Sequence, residues 1–215
     1  MERYHKIQTA YLRDPETNHK TLLEGEWAKV EFGVLKDIGW YCTEKIDGTN
    51  IRVIWDGAEV AFKGKSDKAS IPPHLLEQLT ETFPAPKMYK VFGVPESPMC
   101  LYGEGYGVKI QKGGNYMSDR VGFILFDVKI GVWWLKRWDI EGIADNLNVP
   151  IVPLIGVMRL EEAVRMVKEG FKSTIAENKN YMAEGLVMKP IVELFNRRGE
   201  RVITKIKHKD FDSKQ

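Results

Sequence analysis

The chain has 215 residues, enough for one large domain or two small ones with a substantial core, and its 43% hydrophobic and 29% charged content is that of a globular protein. A net charge of +2 excludes recognition of a polyanion by bulk charge, so positive sites must be local, as at Lys63-Gly64-Lys65 with Lys68 and at Lys205-Ile206-Lys207-His208-Lys209. Cys42 and Cys100 form no Cys-x-x-Cys pair, and the four histidines lack metal-ligand spacing, which argues against a disulfide framework or a zinc site. No apolar run approaches the ~20 residues that span a bilayer, so the expectation is a reduced, cytoplasmic protein without membrane association.

Residues 1–40 carry few signals. Asp14-Pro15-Glu16-Thr17-Asn18 predicts a turn, and the alternation in Trp27-Ala28-Lys29-Val30-Glu31-Phe32 predicts a short strand leading toward Tyr41-Cys42-Thr43. An extended segment then delivers Glu44-Lys45-Ile46-Asp47-Gly48-Thr49-Asn50, in which a lysine enters an Asp-Gly turn. An amine attacks only without its proton, and lysine starts near pKa ~10.4, so reactivity at neutral pH requires about 4 kcal/mol from nearby cations or desolvation. A second pair, Asp56-Gly57, separates Ile51–Trp55 from Glu59–Phe62 and predicts an ordinary hairpin with no chemistry. Taken alone, Asp47-Gly48 fits the same description, with Lys45 solvated.

Pro72-Pro73 opens a predicted helix through Leu75, Leu76 and Leu79 that ends before Pro84 and Pro86. Leu101-Tyr102-Gly103-Glu104-Gly105-Tyr106-Gly107 is a strand running into glycines, a shape that suits either close approach of a ligand or a bulge with an exposed Glu104. Val121–Val128 is a nearly continuous apolar run, the pattern of a strand buried on both faces; within it Phe126 reads as core, whereas Asp127 requires a partner or a cation. Helices are predicted over Trp138–Leu147 and Arg159–Lys168, the second stopped by Gly170, with a short edge strand over Ile151–Val157 between them. Two strands follow. Ala183–Pro190 places Glu184, Leu186 and Met188 on one face and Gly185, Val187 and Lys189 on the other, and Arg201–Lys207 puts Lys205 and Lys207 together, either converging on an anion or simply wet.

Lys45-Ile46-Asp47-Gly48, Gly103-Glu104-Gly105, Phe126-Asp127-Val128, Glu184–Lys189 and Lys205-Ile206-Lys207, in that order, resemble the motif series of the covalent nucleotidyltransferases, and most closely the ATP-dependent RNA ligases of the phage type. Thr49-Asn50 after the glycine favours RNA over DNA ligases, and the resemblance spans roughly Trp27 to Lys209. It implies an α+β nucleotidyltransferase domain of antiparallel sheets with flanking helices, occupying residues 1–215 as a single domain. It further implies that Lys45 attacks the α-phosphorus of ATP to form lysyl-AMP, that Glu104 holds the ribose and Phe126 stacks on adenine, and that Glu184 helps bind Mg2+. Lys189, Lys205 and Lys207 then surround the phosphates, Glu44, Ile46, Asn50 and Lys65 belong to the nucleotide-binding set, and Asp47 lies near the chemistry without a defined role. The implied substrates are RNA ends, a 5′-phosphate and a 3′-hydroxyl, joined through adenylylated RNA.

Two features depart from the family pattern. Many relatives carry arginine where Lys65 stands, and lysine lacks the bidentate fork. Eight residues follow Lys207, with no appended oligonucleotide-binding barrel, which argues against a DNA ligase or a GTP-using capping enzyme and leaves room for a partner protein or RNA scaffold. A non-catalytic RNA-binding module is the alternative from another class.

Overall fold

The structure is a computed structural model that describes residues 3–111 and 115–211. In chain order its elements are strands β1 (Gln8–Thr9), β2 (Tyr11–Arg13) and β3 (Leu22–Trp27), helix α1 (Val30–Val34), and strands β4 (Trp40–Glu44), β5 (Thr49–Trp55) and β6 (Val60–Lys63). Helices α2 (Pro73–Thr82) and α3 (Ala85–Phe92) precede strands β7 (Met99–Gly107), β8 (Val121–Ile130) and β9 (Trp133–Trp134). Helix α4 (Arg137–Leu147), strand β10 (Leu154–Met158), helix α5 (Leu160–Glu169) and strands β11 (Gly185–Pro190) and β12 (Thr204–Lys207) follow. The predicted α+β class with antiparallel sheets and flanking helices is what the chain forms.

The chain divides into two units. The first comprises Lys6–Ile46, Pro153–Ile175 and the described residues from Lys179 onward, and holds a five-stranded sheet in the order β1-β12-β11-β4-β10 together with the β2-β3 pair. All its pairings are antiparallel except β1 with β12, where Gln8 faces Thr204. Helix α5 packs on one face because Leu160, Ala163, Val164 and Val167 recur at helical spacing and are all buried, against Trp40, Cys42, Leu186, Met188 and Ile206. Each large apolar side chain buried this way contributes about 1.5–3 kcal/mol.

The second unit comprises the described residues up to His5, Asp47–Val152 and Ala176–Asn178, and holds the antiparallel sheet β6-β5-β7-β8-β9. Ile51, Val53, Leu101, Phe123 and Leu125 on one sheet face meet Leu75 and Leu79 of α2, Met88 of α3 and Ile140 of α4. Gly105 is required by this packing, since a Cβ there would lie 2.4 Å from Leu75 Cδ2. Between Tyr102↔Asp127 and Gly103↔Leu125 the β7–β8 register slips by one, leaving Phe126 as the extra residue of a β-bulge. Neither five-stranded sheet closes into a barrel among the described residues.

Two local expectations are corrected and one is extended. Residues 27–32 are not one strand: β3 ends at Trp27 and α1 begins at Val30, with Val30 and Val34 exposed, Phe32 buried, and Trp27 and Ala28 partly buried against the same core. Pro84 and Pro86 close α2 as expected but also open α3, where a missing N–H in the first turn costs nothing. Glu184 does not share a face with Leu186 and Met188. It precedes β11 and its carboxylate meets Lys45 and Lys207.

Candidate active site

In the first unit, alternation along β4 sends Trp40, Cys42 and Glu44 toward the α5 side and Tyr41 and Thr43 to the opposite face. Register continues that second face across the sheet: Tyr41 faces Lys189, Thr43 faces Val187, and Val187 faces Lys205. Lys45 follows β4 and is tied to the sheet by its N–H, which donates to the Gly185 carbonyl at 2.9 Å. Its Nζ lies 2.6 Å from Glu184 Oε2, and Lys207 Nζ lies 2.6 Å from Glu184 Oε1. The alternation therefore brings four of the predicted lysines, Lys45, Lys189, Lys205 and Lys207, to one face, and Glu184 bridges two of them. Gly185 permits the close approach of β12, since a Cβ there would stand 2.0 Å from the Ile206 carbonyl oxygen.

Burial disfavours a charged Glu184, but the Lys45 and Lys207 ammonium groups outweigh it and hold the carboxyl below the usual glutamate range. One carboxylate between two lysines leaves the trio with a formal surplus of one positive charge, a setting suited to a phosphate. Glu44 goes elsewhere. It is buried, and its carboxylate accepts from the Ser173 hydroxyl and from both the N–H and the hydroxyl of Thr174, clasping the 173–174 segment to the end of β4. Ile46 is also buried, and its carbonyl oxygen lies 3.5 Å from Lys45 Nζ.

In the second unit the Asp47-Gly48 turn is fixed from two sides. The Asp47 N–H donates to the Tyr116 hydroxyl at 3.2 Å. A Cβ on Gly48 would lie 2.3 Å from the Gly105 carbonyl oxygen and 2.9 Å from Glu104 Cγ, so only glycine lets the turn settle against β7. Two residues on, Asn50 pairs with Glu104 across β5 and β7, and Glu104 faces Ile124 of β8. Phe126, in its bulge, is partly exposed. Lys65 is exposed on a loop anchored from beneath by Arg52, whose Nε donates to the Gly64 carbonyl at 3.1 Å and whose Nη2 lies 2.8 Å from Asp67 Oδ1. The second Asp-Gly pair is an ordinary hairpin turn, in which Asp56 accepts from the N–H groups of Ala58 and Glu59 and Gly57 has φ +101°.

Sequence reasoning missed Tyr116, Ser173, Thr174 and Arg52. Ser173 and Thr174 lie in irregular chain with no periodic signal, and Arg52 reads as one polar position in an alternating strand. Tyr116 was legible only as an aromatic after a glycine-rich stretch, whose residues 112–114 lie outside the described residues.

The fold is similar to solved structures of Naegleria gruberi RNA ligase. A mutant with AMP and Mn matches with a TM-score of 0.65 at 18% identity, over 97% of this chain and 55% of that one. The same ligase with PPi gives 0.64 at 18% identity over 96% and 56%, and a mutant with ATP and Mn gives 0.62 at 20% identity over 84% and 54%. The chain thus spans just over half the length of these structures, and at such identities the likeness establishes the fold. The RNA ligase family model matches residues 38–207. Since that match takes in the Lys45 turn, Glu184 and both lysines of β12, the chain belongs to the RNA ligase family.

Proposed function

We propose that residues 1–215 act as one nucleotidyltransferase domain of an ATP-dependent RNA ligase that joins a 5′-phosphate to a 3′-hydroxyl, a reaction of RNA repair in the cytoplasm. The observation that carries this reading is the Lys45–Glu184–Lys207 trio on a face that also bears Lys189 and Lys205. Solved structures of a similarly folded RNA ligase with ATP and Mn support the choice of nucleotide and of a divalent cation. Lys45 Nζ attacks the α-phosphorus of ATP, a phosphoramidate bond forms, and the bond to pyrophosphate breaks. Attack requires the amine without its proton, and the Glu184 carboxylate 2.6 Å from Lys45 Nζ is an ionisable group in direct contact with it. AMP passes from lysine to the RNA 5′-phosphate, and the 3′-hydroxyl displaces it to form the phosphodiester.

Lys189, Lys205 and Lys207 supply positive charge to the phosphates, Glu104 holds the ribose hydroxyls and Phe126 stacks on adenine. Glu44, Ile46 and Asn50 complete the nucleotide-binding set beside Lys45 and Asp47, and Lys65 reaches the nucleotide or a strand end. Glu184 is the residue that would hold Mg2+. Magnesium keeps several waters and is usually held by one or two carboxylates, which suits a site whose carboxylate is Glu184. When bound, it supplies charge neutralisation at the phosphates. A partner protein or RNA scaffold would add grip on the RNA ends.

Intact mass after incubation with ATP and Mg2+ tests the first step, beside GTP and beside Lys45→Ala. The expected result is a gain of one AMP from ATP alone, absent in the variant. No gain, in protein first cleared of bound AMP with pyrophosphate, would overturn the reading in favour of a binding module.

A further inference from the structure

Asp127 is fully buried in β8, and its partner comes from the far end of the chain. The Tyr4 hydroxyl donates to Asp127 Oδ2 at 2.7 Å. The Tyr4 ring also stands edge-on to Phe126, with centroids 5.0 Å apart and planes at 76°, and packs on Tyr102 at 5.1 Å and Trp134 at 5.6 Å. Phe126 and Asp127 are the two bulge residues opposite Tyr102, so one side chain touches both of them, the first with its ring and the second with its hydroxyl. A bulged residue has lost its ladder partner, and its side-chain direction must be set by other contacts. The helix-covered core of this unit lies on the other face of the sheet and is built from other residues.

We infer that Tyr4 is a positioning residue for the nucleobase: by pinning the Phe126–Asp127 bulge it fixes the ring that stacks on adenine, so an N-terminal side chain sets nucleotide affinity. This rests on the reading above in which Phe126 stacks on adenine. A neighbour at this angle covers at most one face of the Phe126 ring, which remains partly exposed. The bond from the Tyr4 hydroxyl to Asp127 Oδ2 is short, and hydrogen bonds of this geometry are directional.

The test is calorimetric titration of the whole protein with α,β-methylene-ATP, which binds without reacting. Parent, Tyr4→Phe, Phe126→Ala and the double variant are compared at matched thermal stability. Tyr4→Phe keeps the ring and removes the hydroxyl; it is expected to weaken binding about fivefold, and Phe126→Ala about tenfold. The double variant should bind no worse than Phe126→Ala alone, because Tyr4 acts through that ring. Asp127→Asn, which retains an acceptor for the hydroxyl, should bind within about twofold of the parent and replaces Tyr4→Phe as the hydroxyl test should the latter misfold, Asp127→Ala then being the losing arm. Parent-like affinity in Tyr4→Phe, or effects that multiply in the double variant, overturns the role of Tyr4 while leaving ATP binding intact. Failure of the parent itself to bind the analogue overturns the ATP reading and this inference with it.

Discussion

The lysine face of the first unit and the Arg52–Tyr102–Asp127 row of the second are both polar surfaces on antiparallel sheets, yet they are built to opposite ends. On the first, Lys45, Lys205 and Lys207 remain partly exposed, with Glu184 shared between two of them. On the second, Arg52, Tyr102 and Asp127 occupy one cross-strand row and are all fully buried, Arg52 and Asp127 held by directed bonds and Tyr102 by ring contacts with Tyr4 and Trp134. Partly exposed charges with one shared counterion can exchange partners; buried ones cannot without leaving a polar group unsatisfied. The first arrangement suits chemistry and the second suits rigidity.

Substitution should separate the two most sharply at Lys45 and Arg52. Lys45→Ala should lower lysyl-AMP formation by at least about a thousandfold, measured as AMP incorporation. Its stability in urea should change by no more than about 1 kcal/mol, because Lys207 still pairs with Glu184. Arg52→Ala should behave in reverse, costing about 3 kcal/mol of unfolding free energy by emptying a buried site and stranding the Gly64 carbonyl. Equal stability losses in the two variants would break the comparison.

A smaller effect concerns pH. The Glu184 carboxyl is held below its ordinary value by Lys45 and Lys207 against the opposing effect of burial, so the unfolded chain takes up its proton first as pH falls. The trio's contribution to stability is therefore complete above the ordinary glutamate pKa of 4.5 and is lost as pH drops through the lower folded value. Urea unfolding between pH 7 and pH 3 should show that loss in the parent and a shallower one in Glu184→Gln. The smallest native-state effect is expected at the thiols. Each sheet carries one cysteine, Cys42 in β4 and Cys100 in β7, and burial pushes each up to about 12. Neither should react with iodoacetamide at pH 8 in the folded protein, and labelling at rising urea should report the opening of each sheet separately.

Elements with strong periodicity were legible: α2, α4, α5, the β5–β6 hairpin and the apolar run of β8 all follow from spacing. The shared face of Lys205 and Lys207 was legible too, because lysines two apart on a strand must point the same way. What stayed hidden depends on long-range placement. Nothing local in Glu184 indicates that it leaves the face of Leu186, and the requirement of Asp127 for a partner was readable while Tyr4, 123 positions away, was not. Residues 27–32 failed for a different reason, since six residues with inward aromatics only at the two ends fit a single strand and a strand end followed by a helical turn alike.

The pairing of β1 with β12 has a consequence for how the protein comes into being. The sheet of the second unit uses strands from one stretch, residues 49–134, whereas the lysine-bearing sheet places β12, near the end of the described chain, between β1 and β11. During synthesis the ribosome releases Lys45 long before Lys205 and Lys207, so Lys45 spends the nascent phase without the neighbours it has in the folded sheet. Refolding from urea should accordingly protect Cys100 before Cys42, a sequence that quenched-flow alkylation would detect or refute. The lysine-bearing sheet is thus complete only once strands from opposite ends of the described chain have met.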